Sequence, residues 1–469
     1  MAETGSAALG RCLPSVPGVF MTDVSANTLS LLEDLIADAR RAGADAADAI
    51  LVDGQSVSVA WRLGKLETLE RSEGGDIGLR VLIGKRQAIV SSGDRSREAL
   101  SALVERAIAM AKAVPEDPFA GLADPDQLAL SMPDIDGDDP TELSADQLIA
   151  MAAAAEDAAR SVPGVTNSEG AEASWGRSLV SVVASNGFAH SYWSSGSSLS
   201  AVALAGDGDS GMERDYDYTT AVYVEDLEEA ALIGRRAGER AVRRLGGRRI
   251  KTCRVPVIFD PRMARGIVGS LCGAINGASI ARGTSFLKDA MGTEVFAPGI
   301  SIIEDPHRAR GLRSRPVDAE GIANSRRALI DNGVLTTWVL DLRSARQLGL
   351  ASTGHAARGT SSAPSPSVSN VWMEAGSQSP EEMIRELKEG LLVVDLFGHG
   401  VNGVTGDYSR GAAGFWIENG EITYAVNEVT IAGNLKEMFR SLTPASDLDL
   451  RHGTDAPTLR IDGMTVAGG

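Results

Sequence analysis

The chain has 469 residues, which is more than the ~250–300 residues that a single hydrophobic core usually supports, so two or three domains are expected. The formal net charge of −18 argues against non-specific binding to nucleic acid or anionic membranes, and no apolar run approaches the ~18 residues of a membrane-spanning helix. Three cysteines without C-x-x-C spacing argue against a disulfide framework and favour a cytoplasmic location.

The order of helical and extended patterns predicts an α+β protein with a small helix-and-sheet domain followed by a β-rich domain. A disordered tail is expected at residues 1–27, and the N-terminal α+β domain at residues 28–250. An acidic, proline-rich linker interrupts this domain near residues 114–140. The β-rich C-terminal domain is expected at residues 251–469.

The first unit of the N-terminal domain begins with an amphipathic helix at residues 28–42. A second helix is predicted to begin at Asp94 or Ser96. Between the helices, alternating apolar residues predict strands, the last two joined by a hairpin turn at Gly84-Lys85-Arg86. These strands are residues 49–63, 65–71, 77–83 and 87–92.

The linker contains Asp134, Asp136 and Asp138 with the alternating spacing that begins a calcium loop. The glycine that such a loop requires at its sixth position is Asp139 here, and no glutamate follows at the twelfth. A solvated acidic turn is therefore favoured over a calcium site.

The second unit begins with Ser144 and Gln147, which form the pattern of a helix capping box. Strands are predicted on either side of the Asn186-Gly187 turn, at residues 178–185 and 188–205, and again at 216–223. A helix at residues 227–245 follows and carries many arginines. Nucleic-acid binding would explain this basic cluster, but the low aromatic content and the acidic balance favour a solvated helix face and a domain linker.

The C-terminal domain opens with a strand and then a glycine-rich helix whose apolar residues lie three or four apart. A metalloprotease could place an HExxH or HExxxH motif on such a helix, since two histidines there can share a zinc ion and the glutamate can act as base. This helix has neither histidine nor glutamate. Beyond it, strands dominate, with a short helix between Ser379 and Gly390 and a hairpin at Asn419-Gly420.

Four segments together resemble the TldD/PmbA family, and the similarity covers roughly residues 28 to 468. The segments are Gly74-Gly-Asp-Ile-Gly-Leu-Arg-Val-Leu-Ile-Gly-Lys, Arg282-Gly-Thr-Ser-Phe, Gly354-His-Ala-Ala-Arg-Gly, and the long run Gly398-His-Gly-Val-Asn-Gly-Val-Thr-Gly-Asp-Tyr-Ser-Arg-Gly-Ala-Ala-Gly-Phe-Trp-Ile-Glu-Asn-Gly-Glu-Ile.

The resemblance implies that the active protein is a pair of homologous subunits. One of them carries the HExxxH motif and a cysteine zinc ligand near its C-terminus. Aligned on the Arg282 block, the histidine positions fall on Val268 and Gly273 and the glutamate position on Gly269, and no cysteine follows Cys272. The chain therefore resembles the PmbA (TldE) type, which lacks the metal motif. This implies no cofactor and no catalytic residue in this chain, with zinc expected in the TldD-type partner.

The resemblance further implies a heterodimeric peptidase that acts on unfolded peptides in peptide maturation and in the degradation of small proteins. This subunit would help to form the substrate chamber. Candidate residues for a substrate or partner groove lie in the Arg282 block and in the glycine-rich loop that follows Phe397. They are Arg282, Gly283, Thr284, Ser285, Gly398, His399 and Asn402.

Other motifs in the sequence lack the surrounding features that their functions require, and two alternative functions remain open. The run Gly398-His-Gly-Val-Asn-Gly matches a dinucleotide-binding pattern but precedes loop and strand rather than a helix. Gly208-Asp-Ser-Gly resembles a serine-protease segment, and Ser285-Phe-Leu-Lys288 an S-x-x-K motif; both lack their partner motifs. A non-proteolytic homodimeric binding or regulatory protein is the principal alternative, and an independent hydrolase needing His399 or Ser210 is a third.

Overall fold

The computed structural model describes residues 18–207 and 211–468, which fold as α+β, as the sequence predicts. The part before residue 250 consists of a sheet and two pairs of helices. In chain order the elements are α1 (Gly18–Arg41), β1 (Ala46–Arg62), β2 (Lys65–Ile83), β3 (Arg86–Ser92), α2 (Arg97–Ala113), α3 (Ala145–Arg160), β4 (Val165–Ala184), β5 (Ala189–Ala205), β6 (Glu213–Ala221) and α4 (Ala230–Arg243).

All strands of the N-terminal part join one antiparallel sheet in the order β3-β2-β1-β4-β5-β6. One face of this sheet packs on the helices: α1 and α2 cover Leu51 and Leu79, and α3 and α4 cover Val57 and Leu199. Because side chains alternate along a strand, the opposite face carries the residues between these, and it packs against the C-terminal part. The N-terminal sheet therefore lies between the helices and the second domain.

The C-terminal part combines a strongly paired sheet with short helices. Its elements are β7 (Cys253–Phe259), α5 (Pro261–Ala274), α6 (Gly277–Ala281), β8 (Ile302–Asp305), β9 (Arg327–Asp331), β10 (Val334–Leu335), α7 (Leu342–Leu348), β11 (Ala356–Ala357), β12 (Ser365–Pro366), β13 (Asn370–Met373), α8 (Pro380–Arg385), β14 (Glu389–Phe397), β15 (Asp407–Glu418), β16 (Glu421–Asn434), α9 (Leu435–Arg440), β17 (Leu442–Pro444), β18 (Thr454–Asp455) and β19 (Leu459–Ala467).

The larger C-terminal sheet has the order β16-β15-β14-β7-β19-β17, and an additional pairing of β16 with β19 closes five of these strands into a ring. A smaller sheet, in the order β10-β9-β8-β13-β18, packs beside it. Helix α5 follows β7 directly and contributes Ile267, Val268 and Leu271 to the main core of the domain. One face of α5 is therefore buried in the core, and the opposite face is exposed.

Most predicted turns and caps are confirmed. Ser96 caps α2, Ser144 and Gln147 form the capping box of α3, and Ser379 caps α8. These signals are local, since each depends on residues within three positions of one another, and sequence can therefore reveal them. No helix in the described part of the chain is long and apolar enough to cross a membrane.

Several element boundaries differ from the predictions, among them that of β4, which begins at Val165 rather than at residue 178. Helix α1 begins at Gly18, so residues 18–27 of the predicted tail are helical, while residues 1–17 lie outside the described part. The strands predicted at 65–71 and 77–83 are the single strand β2, because β1 pairs with it continuously through Gly74. Gly390 does not end a helix: α8 ends at Arg385, and Gly390 lies in β14 opposite Ile417.

The acidic turn and the basic helix were both predicted to be solvated, and each prediction holds only in part, since Asp134 and Arg235 are exposed whereas neighbouring charges pair with other elements. Asp136 accepts hydrogen bonds from Tyr223 Oη at 2.6 Å and Arg310 Nε at 2.8 Å, and Asp138 receives two bonds of 2.7 Å from Arg177. In the basic helix α4, Arg236 and Arg240 likewise pair with Asp217 of β6. Both segments therefore contribute to packing between elements.

Candidate functional site

Helix α5 holds the positions that correspond to a zinc motif. Asp260 caps its N-terminus by accepting from Arg262 N at 2.9 Å, and Pro261 occupies the first position, as helix starts favour. Val268 is fully buried in the core. Gly269 and Gly273 lie on the exposed face instead, with open space where a Cβ would stand. None of these residues has a side-chain atom that could bind a metal ion.

The two predicted groove segments are brought together at the surface. Phe286 N donates to Gly403 O at 2.9 Å and thereby joins the Arg282 block to the loop that follows β14. Asn402 shapes this loop, since its Oδ1 accepts from Val404 N at 3.0 Å and Thr405 N at 3.3 Å. The exposed His399 and Asn402 line an open depression of about 530 Å³.

The members of the Arg282 block have different environments. Arg282, Gly283 and Thr284 are exposed, with Gly283 in the left-handed region at φ +70° where α6 ends. Ser285 is buried, and its hydroxyl donates to Ala274 O at 2.5 Å and accepts from Leu287 N at 3.0 Å. Ser285 therefore holds the block against α5 rather than lining the groove.

A larger cavity, of about 740 Å³, opens between the two domains beside the start of α5. Arginines and carboxylates line it in equal number, and together they form a strongly polar wall. They are Arg236, Arg240, Arg262, Arg265, Arg308, Arg310, Arg451, Asp217, Asp226, Glu228, Asp260, Asp447, Asp449 and Asp455. Residues four apart lie on the same face of a helix, so Arg265 is on the same face of α5 as the exposed Gly269.

One wall of this cavity brings together Tyr218, Arg265 and His452. Arg265 Nη1 donates to Tyr218 Oη, which lies 3.4 Å from His452 Nε2, and the two rings are 5.0 Å apart. Burial, helped by Arg265 and Arg451, lowers the pKa of His452 to about 4, so its imidazole is neutral at pH 7. Sequence reasoning did not find this group, because its members are far apart in the chain and only the helical spacing from Arg265 to Gly269 links it to the metal positions.

Burial also raises the pKa of Asp455 to about 6, although the His452 backbone N–H donates to it at 2.9 Å. Near neutrality the Asp455 carboxyl can therefore be either protonated or ionised beside the neutral imidazole of His452. The nearby Arg262, by contrast, pairs with Asp215 at 2.9 Å and Asp260 at 3.3 Å. Its guanidinium therefore stabilises the wall of the cavity and does not face a ligand in it.

The remaining family-like motif, which begins at Gly354, contributes two buried side chains. His355 Nε2 bonds to Glu304, and His355 Nδ1 lies 2.7 Å from Thr353 Oγ1. Burial acts to raise the pKa of Glu304, but the bonds from His355 and Ser369 outweigh it and lower the pKa. Arg358 reaches across to Asp48 of the N-terminal sheet. This motif therefore holds the two domains together.

The scattered histidines do not converge. Within residues 18–207 and 211–468, no group of three or more histidine, cysteine or acidic side chains is arranged to hold a metal ion. Asp134, Asp136 and Asp138 form no such group either, and of the protease-like segment, residues 208–210 lie outside the described part. Cys272 lies on α5, but burial raises the pKa of its thiol to about 12.

Comparisons with known proteins place these features in context. Models described as PmbA/TldA metallopeptidase domain 1, central domain and C-terminal domain match residues 47–111, 138–245 and 252–468. The chain is 40% identical to metalloprotease PmbA of Escherichia coli O157:H7 over 428 residues, which cover 90% of this chain and 92% of that protein.

Two solved structures resemble the fold along almost its whole length. One, from Bacteroides thetaiotaomicron and described as a candidate modulator of DNA gyrase, matches with a TM-score of 0.88 at 26% identity, covering 95% of this chain and 100% of that chain. The other, TldE from Thermococcus kodakarensis, matches with a TM-score of 0.82 at 22% identity, covering 93% and 100%.

Proposed function

The chain belongs to the PmbA/TldA metallopeptidase family, and from this we propose that it is the metal-free subunit of a TldD/TldE-type heterodimeric peptidase. Its zinc-bearing homologue would cut unfolded peptides during peptide maturation and the degradation of small proteins. This chain would close the substrate chamber and help to hold the peptide. We assign it no catalytic residue of its own.

The observation that carries the proposal is the composition of α5. Val268, Gly269 and Gly273, at the positions of HExxxH, supply no nitrogen, oxygen or sulfur ligand. Val268 is also fully buried in the core of the domain. Zinc therefore does not fit these residues, and zinc chemistry is proposed for the partner alone.

The surfaces beside α5 support a role in holding substrate. The large cavity offers guanidinium and carboxylate groups to the charged termini and polar backbone of a peptide. The depression near His399 lies on the exposed loop that contacts the Arg282 block. Extended peptides bound through such backbone contacts are read with little sequence preference, which suits an enzyme for unfolded substrates.

The test is the native mass and zinc content of the protein isolated from its own cells. The proposal expects a complex of about twice the mass of the chain, containing a second homologous polypeptide that carries HExxxH and about one zinc ion. Mixing the two purified subunits should produce peptidase activity that neither shows alone. A zinc-free homodimer without such a companion would contradict the proposal.

A non-proteolytic homodimeric binding or regulatory protein is the second candidate, favoured by the description of the Bacteroides relative as a modulator of DNA gyrase. Isolation of the native protein from its own cells also distinguishes the two candidate functions. Co-purification with gyrase subunits in place of a zinc-bearing homologue, and inactivity after mixing with that homologue, would support the regulatory role.

A further inference from the structure

A smaller pocket, of about 190 Å³, lies between the N-terminal sheet and the C-terminal domain, away from α5. Its floor is the sheet face that the helices leave free, and it includes Ile50, Val52, Val180 and Val182. These residues are paired neighbours on β1 and β4, since Ile50 lies opposite Val182 and Val52 opposite Val180. The floor is therefore a continuous aliphatic surface.

The polar end of the pocket is formed by Arg358, whose side chain is fully buried. Its Nη1 pairs with Asp48, which also receives Arg80 Nε at 2.9 Å. Arg358 Nε and Nη2, however, have no hydrogen-bond partner among the described residues. A buried guanidinium that leaves two donors unsatisfied is costly, because each donor has lost its water without a replacement.

The two unpartnered nitrogens have a specific geometry. Nε–H and the adjacent N–H of Nη2 form one edge of the planar guanidinium and point in parallel. This edge matches the two oxygens of a carboxylate, which it binds through paired hydrogen bonds. Since Asp48 occupies only Nη1, the edge is left for a second anion.

Neighbouring groups are compatible with an anion. His190 Nε2, on β5, lines the same pocket and also lacks a partner among the described residues, so its N–H tautomer can donate. Asp318 also lines the pocket, but its carboxylate is already engaged, accepting from the backbone N–H groups of Glu320 at 2.9 Å and Ala356 at 3.1 Å.

We propose that this interdomain pocket binds a small carboxylate with a short branched apolar tail, held by the Nε/Nη2 edge of Arg358 with the tail on Val52, Val180 and Val182. The carboxylate can belong to a free short-chain acid or to the C-terminus of a peptide. Both present the same group to Arg358, and the pocket volume admits about one aliphatic side chain. The inference does not depend on zinc or on a partner subunit.

Calorimetric titration of the full-length protein tests the proposal, with 3-methylbutanoate as the free acid and acetyl-leucine as the peptide C-terminus. Each is compared with its uncharged amide of the same shape. At least one acid should bind about tenfold or more tightly than its amide, because the amide cannot form the charged pair with Arg358. The acid that binds identifies the source of the ligand.

Two variants examine the two ends of the pocket. Arg358→Met should weaken acid binding about tenfold or more, while Arg86→Met, which changes an arginine on the N-terminal hairpin, should leave it unchanged. Val180→Phe fills the pocket floor without altering Arg358, and it should abolish binding in a protein that melts cooperatively. If Arg358→Met does not fold, the acid–amide comparison and Val180→Phe still decide.

Equal binding of acid and amide would overturn the proposal, as would the absence of binding by either acid at millimolar concentration. The proposal would also be overturned by a crystal structure, from crystals grown with both acids, that shows only ordered water at Nε and Nη2 of Arg358.

Discussion

At the residue scale, Glu320 is a strongly perturbed titrating group, which is buried and interacts with the charge of Asp318. Leu342 N donates to Glu320 Oε2 at 2.8 Å. Burial, reinforced by the charge of Asp318, raises the pKa of Glu320 to about 8, so it holds a proton at pH 7. In the unfolded chain its pKa returns to the ordinary value of about 4.3.

This difference predicts that stability falls as the pH rises from about 4 to about 8. Because the folded protein binds the proton more tightly, the stabilisation is complete below pH ~4 and is lost as the pH rises through about 8. Glu320→Gln keeps an acceptor for Leu342 N and removes the titration. The free energy of unfolding of the wild type, from urea titrations, should therefore fall by roughly 2–4 kcal/mol more than that of the variant between pH 5 and 9. Parallel pH profiles would show that Glu320 is ionised in the folded protein.

The exposed groove residues provide a second prediction, which depends on the proposed heterodimer. Arg282→Ala combined with His399→Ala should raise KM for an unfolded peptide about 3–10-fold in the reconstituted complex, with kcat within about twofold. The reason is that these side chains can contact substrate but lie on a subunit without metal ligands. Lys112→Ala, on the exposed side of α2, is the control and should change neither constant. A fall in kcat alone would place these residues near the reacting bond.

At the scale of elements, two helices use glycine in opposite ways. On α4, Gly234 faces α3 so closely that a Cβ would stand 1.8 Å from Ala155 O. On α5, Gly269 faces open space. Close packing requires the first glycine, whereas the second only adds flexibility to the unfolded chain and to the helix.

The same substitution should therefore have opposite effects at the two positions. Gly234→Ala must separate α3 from α4 and should lower the free energy of unfolding by about 2–3 kcal/mol. Gly269→Ala should raise it by about 0.5–1 kcal/mol, since alanine is the better helix former. Thermal or urea unfolding measures both. Stabilisation by Gly234→Ala would mean that the two helices pack less closely than described.

The accuracy of the sequence predictions follows the range of the interactions. The caps at Ser96 and Ser144 and the turn at Asn186-Gly187 depend on adjacent residues and are confirmed. Gly390 was misjudged because pairing with Ile417, a distant residue, determines its conformation. The contact between the Arg282 block and the loop at Gly403 could be proposed only through the family resemblance, since the sequence places them more than one hundred residues apart.

At the scale of the whole molecule, ionic contacts hold the two domains together. Arg244, just beyond α4, is almost fully buried and contacts Glu213 at 3.4 Å, Asp215 at 3.6 Å and, across the domain boundary, Asp395 at 3.0 Å. In the sequence, the acidic residues of β6 simply precede a basic cluster. Composition cannot reveal whether such charges meet water or one another, and the prediction of a solvated face therefore holds for exposed arginines such as Arg235 and Arg249 but not for Arg244.

The last prediction concerns this domain boundary. Arg244→Met leaves Asp215, which is almost completely buried, with one fewer cation, and removing one member of a buried ionic group is far more harmful than breaking a surface pair. We expect the free energy of unfolding to fall by about 3–5 kcal/mol and proteolysis between residues 245 and 252 to accelerate. Arg249→Met is the matched control, because Arg249 pairs with Glu428 on an exposed surface, and its effect should stay within about 0.5 kcal/mol. Equal effects of the two substitutions would mean that water reaches Arg244 and that its ionic group contributes little to joining the domains, which would leave this role to apolar packing and to contacts such as that of Arg358 with Asp48.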